Sequence, residues 1–582
     1  MGKSNNKRNR MMKSGLWLFI AGVLLMAGQT SFSQESINKE VRVVKAYNPT
    51  ISDAFKARFL PVLDDTVKVE TSFNYYIEPV KQPIQFRLKS LESVSIRPEP
   101  KPGLKHSYVR AGFGNYWTPM AEMDINTTRN QNTNLGFNMS HFSSQGRIKM
   151  ADDKKVYAGF ADNQVKLYGS KIQRGSTLSG NLHFKEDHYF LYGYNTDTLS
   201  DNSLVTPLNM RMLSKDSLPY QQFLVVGADV RLKSDERTRN GFEYQLDFGY
   251  DFLHKLYRDL IVKNPEMEHG AGVDFAFSHE LKKLTYGAET GGQYFYRIRS
   301  ADSLSNMLIR LDPWVEFNWD IVSLKAGAKV AMDRFDSSPY FFPRVKFEVN
   351  ITNTVVPYIG LDGYYENNNL MKVKRENPYL VDDLDVFPTI HRFIAFGGLR
   401  GRFLPKAAFN LYVKWEDVDD WHFYVPDTAN PLRNRFDVVY DNGSLLSAGG
   451  EVGIHPSEKL GFILKGNYYS YTLDSLAYAW HKPVWDVSLS TRYAFREKVT
   501  LQADVYLIGT QFAPSEDPDP VKFGPAQELD GLVDINLSGE YRFNPNVSAF
   551  ARVNNIISDH YYAWHNYPIQ GLNFLLGVSW SF

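Results

Sequence analysis

From His106 to Phe582, apolar and polar residues alternate one by one through segment after segment. Period-two alternation belongs to strands that face two different environments. Val322, Leu324, Ala326, Ala328, Val330 and Met332 share one face, against Ser323, Lys325, Lys329 and Asp333. Phe409, Leu411, Val413 and Trp415 oppose Asn410, Tyr412, Lys414 and Glu416 in the same way. So do Val499, Leu501, Ala503, Val505 and Leu507 against Thr500, Gln502, Asp504 and Tyr506. A soluble antiparallel sheet also alternates, but three features point to a membrane. The segments run to roughly 10–15 residues, as tilted membrane-spanning strands do. Charges of both signs crowd the polar face, as expected of a wet lumen. Aromatics gather near segment ends, as in Tyr340-Phe341-Phe342, Tyr468-Tyr469 and Tyr561-Tyr562, where interfacial girdles belong. No segment after the N-terminal leader is apolar enough for a spanning helix. Membrane residence is therefore expected as a closed barrel, in which every backbone group is paired.

Tight turns recur near Lys282-Lys283, Asn318 to Asp320, Asn353, Pro405-Lys406, Ser457-Glu458, Glu497-Lys498 and Pro545-Asn546. Longer polar connections at 370–389, 417–443, 473–483, 511–527 and 557–570 lie between them. Short turns at one end and long loops at the other match periplasmic and extracellular ends. Counting segments back from Phe582 gives about seventeen to residue 222, and 106–195 adds about five. The expected fold is therefore all-β: a transmembrane antiparallel β-barrel of about 22 strands (20–24) over residues 105–582. The last strand carries Phe574, Leu576, Val578, Trp580 and Phe582 on its apolar face with Leu572, and Asn573, Gly577, Ser579 and Ser581 on the other with Leu575. Those five apolar residues are expected to close the barrel and to act as its assembly signal, with the C-terminus periplasmic.

The region ahead of the barrel reads differently. Lys3, Lys7, Arg8, Arg10 and Lys13 precede a short apolar core from Leu16 to Ala27, and Ser31-Phe32-Ser33 offers a small-x-small cleavage site. Residues 1–33 are thus expected to be a secretory signal peptide. Residues 34–104 are punctuated by Pro61, Pro79, Pro83, Pro98, Pro100 and Pro102, and read as a short irregular periplasmic segment or partial plug. Within it the β-prone run Glu40 to Lys45 carries Val41, Val43 and Val44, able to add as a strand to a periplasmic partner. The chain has no cysteine, so neither a disulfide nor a lipid anchor on a cysteine is possible. Its 65 basic and 65 acidic residues give no argument for a nucleic-acid partner.

Residues 547–582 end in a penultimate strand, an Asn-Asn-Ile element, a Tyr-rich loop, a Tyr-Pro…Gly step and the closing strand. In Val553, Asn554, Asn555, Ile556, Tyr561, Tyr567, Pro568, Gly571 and Phe582 this resembles the C-terminal end of TonB-dependent receptors. The resemblance implies an outer-membrane barrel, solute transport, a TonB-like partner for the Val41–Val44 run, and contact with lipopolysaccharide and the barrel-assembly machinery. The chain departs from that family ahead of the barrel, where a full plug domain would need many more residues than 34–104.

Catalytic patterns are absent: the histidines are scattered, with no HExxH, no G-x-S-x-G and no Walker loop. The acidic runs Asp382-Asp383-Leu384-Asp385, Asp417 to Asp420 and Glu516 to Asp519 lack EF-hand spacing and read as solvated loop charge. No enzyme activity, cofactor or metal is expected. Two functions remain open: transport of an unidentified solute, or a non-conducting structural subunit of a complex with other envelope proteins. Either way, a barrel of this girth with nothing inside would leave a wide aqueous hole.

Overall fold

The computed structural model describes residues 107–582 apart from the loop stretches 128–131, 151–152, 195–214, 216–217, 236–240, 259–262, 301, 335–337, 352–353, 430–432, 516–525 and 559–560. The expected leader, the segment 34–104 and the partner strand at Val41, Val43 and Val44 lie outside the described residues. The described wall begins with β1 (Ser107–Gly114), β2 (Thr118–Asn126), β3 (Thr133–Ser144), β4 (Phe160–Gln173) and β5 (Ser176–Phe190). It continues with β6 (Tyr220–Ser234), β7 (Phe242–Arg258), β8 (Lys263–Leu281), β9 (Leu284–Ile298), β10 (Ser303–Asn318) and β11 (Val322–Asp333). Next come β12 (Tyr340–Val349), β13 (Val355–Glu366), the helix α1 (Leu370–Glu376), β14 (Thr389–Leu404), β15 (Ala407–Pro426) and β16 (Phe436–Ser457). The series ends with β17 (Leu460–Leu473), β18 (Trp485–Phe495), β19 (Val499–Ile508), β20 (Leu532–Arg542), β21 (Val547–Asn554) and β22 (Asn573–Ser581).

These 22 strands form one sheet in which each pairs antiparallel with its neighbour in sequence. β22 then returns to β1, with Trp580 opposite Val109, Val578 opposite Ala111 and Leu576 opposite Phe113. Beyond the last ladder pair, Ser107 and Phe582 exchange backbone hydrogen bonds of 3.1 and 2.9 Å. Among the described residues the sheet has no free edge, so every strand is paired on both sides. The expected count and its division are met, with five strands up to Phe190 and seventeen from Tyr220.

The two faces of the wall separate by parity. Outward positions are aliphatic at mid-height, as at Leu167, Leu182, Val230, Ile309 and Leu411, all solvent-exposed. Aromatics flank them toward both ends: Trp580, Tyr541 and Tyr493 toward the turn end, Phe574, Trp415 and Trp485 toward the loop end. This is the outward apolar band and paired girdle of a membrane barrel. Inward positions carry ion pairs between strands, such as Arg310–Asp274 at 2.6 Å, Arg344–Glu289 at 3.0 Å and Lys329–Asp362 at 2.6 Å. At the seam Gly112 faces Gly577. A Cβ at Gly577 would come within 2.3 Å of both the Ala111 carbonyl and the Phe550 ring, so glycine is required for that ring to lie against the wall.

One expectation needs correction. Residues 417–443 are not a long loop, because β15 and β16 run on to Pro426 and from Phe436. The hairpin is covered on both faces there, which is why its polar residues did not make it a loop. Phe423 and Val425 pack with Trp480, and Tyr424 and Phe436 pack into a second cluster. The acidic run at 417–420 lies in strand, with a bulge between Val418 and Trp421, and Asp419 pairs with Arg392.

Candidate functional site

The long connections fold inward over the mouth and pack on one another. Ile148 and Val156 from the β3–β4 connection meet Tyr192 after β5, Leu370, Val373, Leu380 and Leu384 from the β13–β14 connection, and Tyr567 before β22. Phe223, Leu253, Tyr424 and Phe436 from the strand ends complete this core. Its members come from two separate arcs of the wall, β3 to β7 and β13 to β16, and from the connection before β22, so the core bridges the barrel mouth. Tyr379 and Tyr567 stack with centroids 3.7 Å apart, and the Tyr192 ring meets Tyr567 edge-on. Their hydroxyls are used as well: Tyr567 donates to the Asn434 carbonyl at 2.6 Å and Tyr192 to the Pro568 carbonyl at 2.9 Å. Buried aromatic hydroxyls need such partners.

The β13–β14 connection, residues 367–388, forms a strap across this mouth. Its ends meet: the Asn368 side-chain amide donates to the Phe387 carbonyl and to the Thr389 hydroxyl, both at 2.9 Å. Asn369 caps α1 by accepting from the Lys372 amide at 2.8 Å. Glu268 on β8 accepts from the Leu370 and Met371 amides at 2.9 and 3.3 Å, satisfying first-turn donors. A helix this short has little stability of its own, so packing of Leu370 and Val373 holds it. At its far end Glu376 accepts from His422 and from the Tyr424 hydroxyl, each at 2.9 Å. Burial works to raise the Glu376 carboxyl, but those partners and the nearby Lys482 charge outweigh it and hold it at about 2. Lys374 pairs with buried Asp187, and burial still leaves its ammonium below the usual lysine range.

Beyond α1 the strap pairs briefly with Phe436 and turns at Asp382-Asp383, where Asp383 has a φ of 55°, so that its acidic run lies on a cluster of wall cations. Lys255 on β7 and Glu266 on β8 stand opposite each other and are fully buried, 3.0 Å apart, with Arg297 on β9 closing on Glu266. Lys255 also donates to Asp382 at 3.1 Å and to the Val381 carbonyl at 2.6 Å. Arg297 donates to the Leu384 carbonyl at 2.6 Å. Arg299 reaches the Asp383 carbonyl at 3.1 Å and Asp385 at 2.5 Å, and Arg435 reaches Asp382 at 3.1 Å. The Asp383 amide donates to Glu266 at 2.9 Å, and the Ser300 amide to the Asp383 carboxylate at 2.8 Å. The run at 382–385 is thus bound to the wall rather than solvated, which corrects the expectation for it. Of the other two acidic runs, 516–519 lies outside the described residues.

Two buried histidines sit at the rim. His481 donates from Nδ1 to the Tyr424 carbonyl at 3.2 Å and accepts at Nε2 from the His565 amide at 3.4 Å. That pair of roles requires a neutral ring. Burial, with His565 and Lys482 adding to it, lowers His481 to about 3, and burial with Arg433 nearby lowers His565 to about 4.

The residues singled out from sequence fall elsewhere. Phe574, Leu576, Val578, Trp580 and Phe582 all point outward on or just beyond the closing strand, 44–58% exposed. Sequence reading missed Lys255, Glu266, Glu268 and Arg297. Their signal was present, since they are charges at lumen-parity positions near the loop ends of their strands. Only parity combined with loop contacts makes them a group.

No family model and no curated protein sequence matches the chain. Solved structures do. The ferric-catecholate import receptor Fiu from E. coli K12 superposes with a TM-score of 0.60 at 11% identity, over 83% of this chain and 82% of that one. The fold is that of a TonB-dependent receptor barrel. The siderophore receptor PirA from Acinetobacter baumannii gives 0.63 at 8% identity, covering 82% and 80%. The FrpB iron transporter from Neisseria meningitidis gives 0.64 at 9%, covering 82% and 81%. At such identities the receptor barrel is shared as architecture alone.

Proposed function

We propose that this chain is an outer-membrane transport barrel whose mouth rests closed under its own loops. The observation that carries this reading is the apolar core bridging the mouth of a closed 22-strand barrel. The wall is of receptor type, the lumen face is polar, and the obstruction is a set of connections rather than the wall itself. In this reading the turn end and both termini are periplasmic, and the loop end faces outward. Residues 1–33 are a cleaved leader, and 34–104 are a short periplasmic segment, linker or partial plug. Val41, Val43 and Val44 offer a strand to a TonB-like partner. The outward row Phe574 to Phe582 serves the assembly machinery, and lipid and lipopolysaccharide surround the belt. No catalytic step is assigned.

A second reading, a non-conducting structural subunit, draws on one observation: the strap is tied by fully buried ions as well as by apolar contact. Conductance in planar bilayers separates the two. At pH 7 the protein with 369–386 replaced by a short Gly-Ser linker should conduct in large steps, and the intact protein should open only rarely. A folded, strapless barrel that stays silent, both with and without residues 35–104, would refute the channel. Stable co-purification with other envelope proteins in mild detergent would then favour the subunit.

A further inference from the structure

The contacts along 381–385 have a character that simple sealing does not require. The wall takes the main-chain carbonyls of Val381, Asp383 and Leu384, donates to or pairs with the carboxylates of Asp382, Asp383 and Asp385, and accepts the Asp383 amide. Leu380, ahead of these charges, and Leu384, among them, are both fully buried in the apolar core that bridges the mouth. Tyr379 and Val381 exchange backbone hydrogen bonds with Phe436 at 2.8 and 3.0 Å, in the manner of an added strand. Backbone, side-chain charge and apolar anchors are thus all read in one short stretch, paired as a strand at Tyr379 to Val381 and turning at Asp382-Asp383. The paired part is how grooves recognise peptides by strand addition. A small inorganic anion would use the carboxylate positions and leave the carbonyl donors of Lys255, Arg297 and Arg299 unmatched.

The site is also built independently of the strap. Lys255 and Arg297 are held by Glu266, which belongs to the wall, and Arg299 is held by Asp302 at 2.6 Å. When the strap leaves, these cations keep one partner each while their remaining donors face the opening. Buried donors left without acceptors are costly, so a replacement ligand of the same chemistry is favoured.

We infer that residues 379–385 act as a ligand held in cis, filling a wall site for a short acidic peptide that pairs as a strand at its start, turns at its paired acids, and carries apolar anchors four residues apart. Such a peptide, arriving from the loop end as cargo, displaces the strap and so opens the mouth. This deepens the transport reading and rests on it only for the word cargo, because binding is measured separately from conduction.

The test uses the full chain in detergent and a fluorescent peptide of residues 378–387, PYLVDDLDVF. Neutralising the strap by Asp382→Asn, Asp383→Asn and Asp385→Asn together should vacate the site. This triple variant should bind the peptide at least tenfold tighter than the unaltered protein does. The peptide PYLVNNLNVF should bind at least tenfold more weakly. Adding Arg299→Gln and Arg435→Gln should abolish binding, and raised salt should weaken it. A second variant with 379–386 replaced by Gly-Ser guards against misfolding of the first, and should bind the acidic peptide equally well. Absence of binding to both, with both folded by heat-modifiable migration, would overturn the site. Equal binding of the acidic and Asn-substituted peptides would overturn its chemistry. Binding without passage of the peptide into proteoliposomes would overturn its role as cargo, even if the strapless barrel conducts ions.

Discussion

Lys255 is wholly removed from solvent, and so is the Glu266 carboxylate opposite it. Such a pair contributes little relative to an apolar replacement of both members, but removing one member leaves a buried charge short of a partner. Lys255→Met should therefore loosen the strap by about 3–5 kcal/mol. Hydrogen exchange at the 379–385 amides should speed by about a hundredfold or more, while exchange in β18 to β20 stays unchanged. The rim histidines give a pH dependence of definite sign. Both are held neutral with folded values near 3 and 4, below the usual 6.5 of a free imidazole. The unfolded cap therefore binds more protons as pH falls below about 6.5, and the cap loses stability in that direction. At pH 5.5 each imidazole costs it about 1.4 kcal/mol. Glu376 acts in a lower window: its value of about 2 supports the cap above the ordinary glutamate range, and that support is lost as pH falls from about 4.3 toward 2. Channel openings of the intact protein should become more frequent between pH 7 and 5, and His481→Gln with His565→Gln should flatten that rise. An unchanged pH profile in the double variant would remove the histidines from the account.

Elements differ in how far they can be read in advance, and the reason is physical. Lipid on one side and water on the other impose period two on every wall strand, so β11, β15, β19 and β22 are legible residue by residue. The same asymmetry makes a prediction for β22: Leu576→Arg, on its lipid face, should cost about 2–4 kcal/mol in refolding into vesicles. The helix α1 is legible by no such rule. Four of its seven residues, Lys372, Lys374, Arg375 and Glu376, are charged, and it turns only about twice. Its place is set by Glu268, Asp187 and His422, which belong to three other elements distant in sequence. The prolonged hairpin of β15 and β16 escaped for a related reason. Above the belt there is no lipid to keep one face apolar, and coverage comes instead from the 474–484 connection, through Trp480.

For the whole molecule, the number of strands, their pairing and the closure could be counted from alternation, because each strand pairs only with its neighbours in sequence. The bridged mouth could not, because it depends on contacts between connections that are far apart in the chain. A wide barrel needs something to fill it, whether the segment ahead of the wall, inward-folded loops or a partner, and the connections above the wall bridge one end. The strap leaves and rejoins the wall at one point, where Asn368 ties Phe387 and Thr389 together. A detour that starts and finishes at the same place imposes no geometry on what it detours around. It is in effect an exchangeable cassette. A related sequence could carry a different strap between the same two strands and admit a different guest, with every turn of the barrel left as it is.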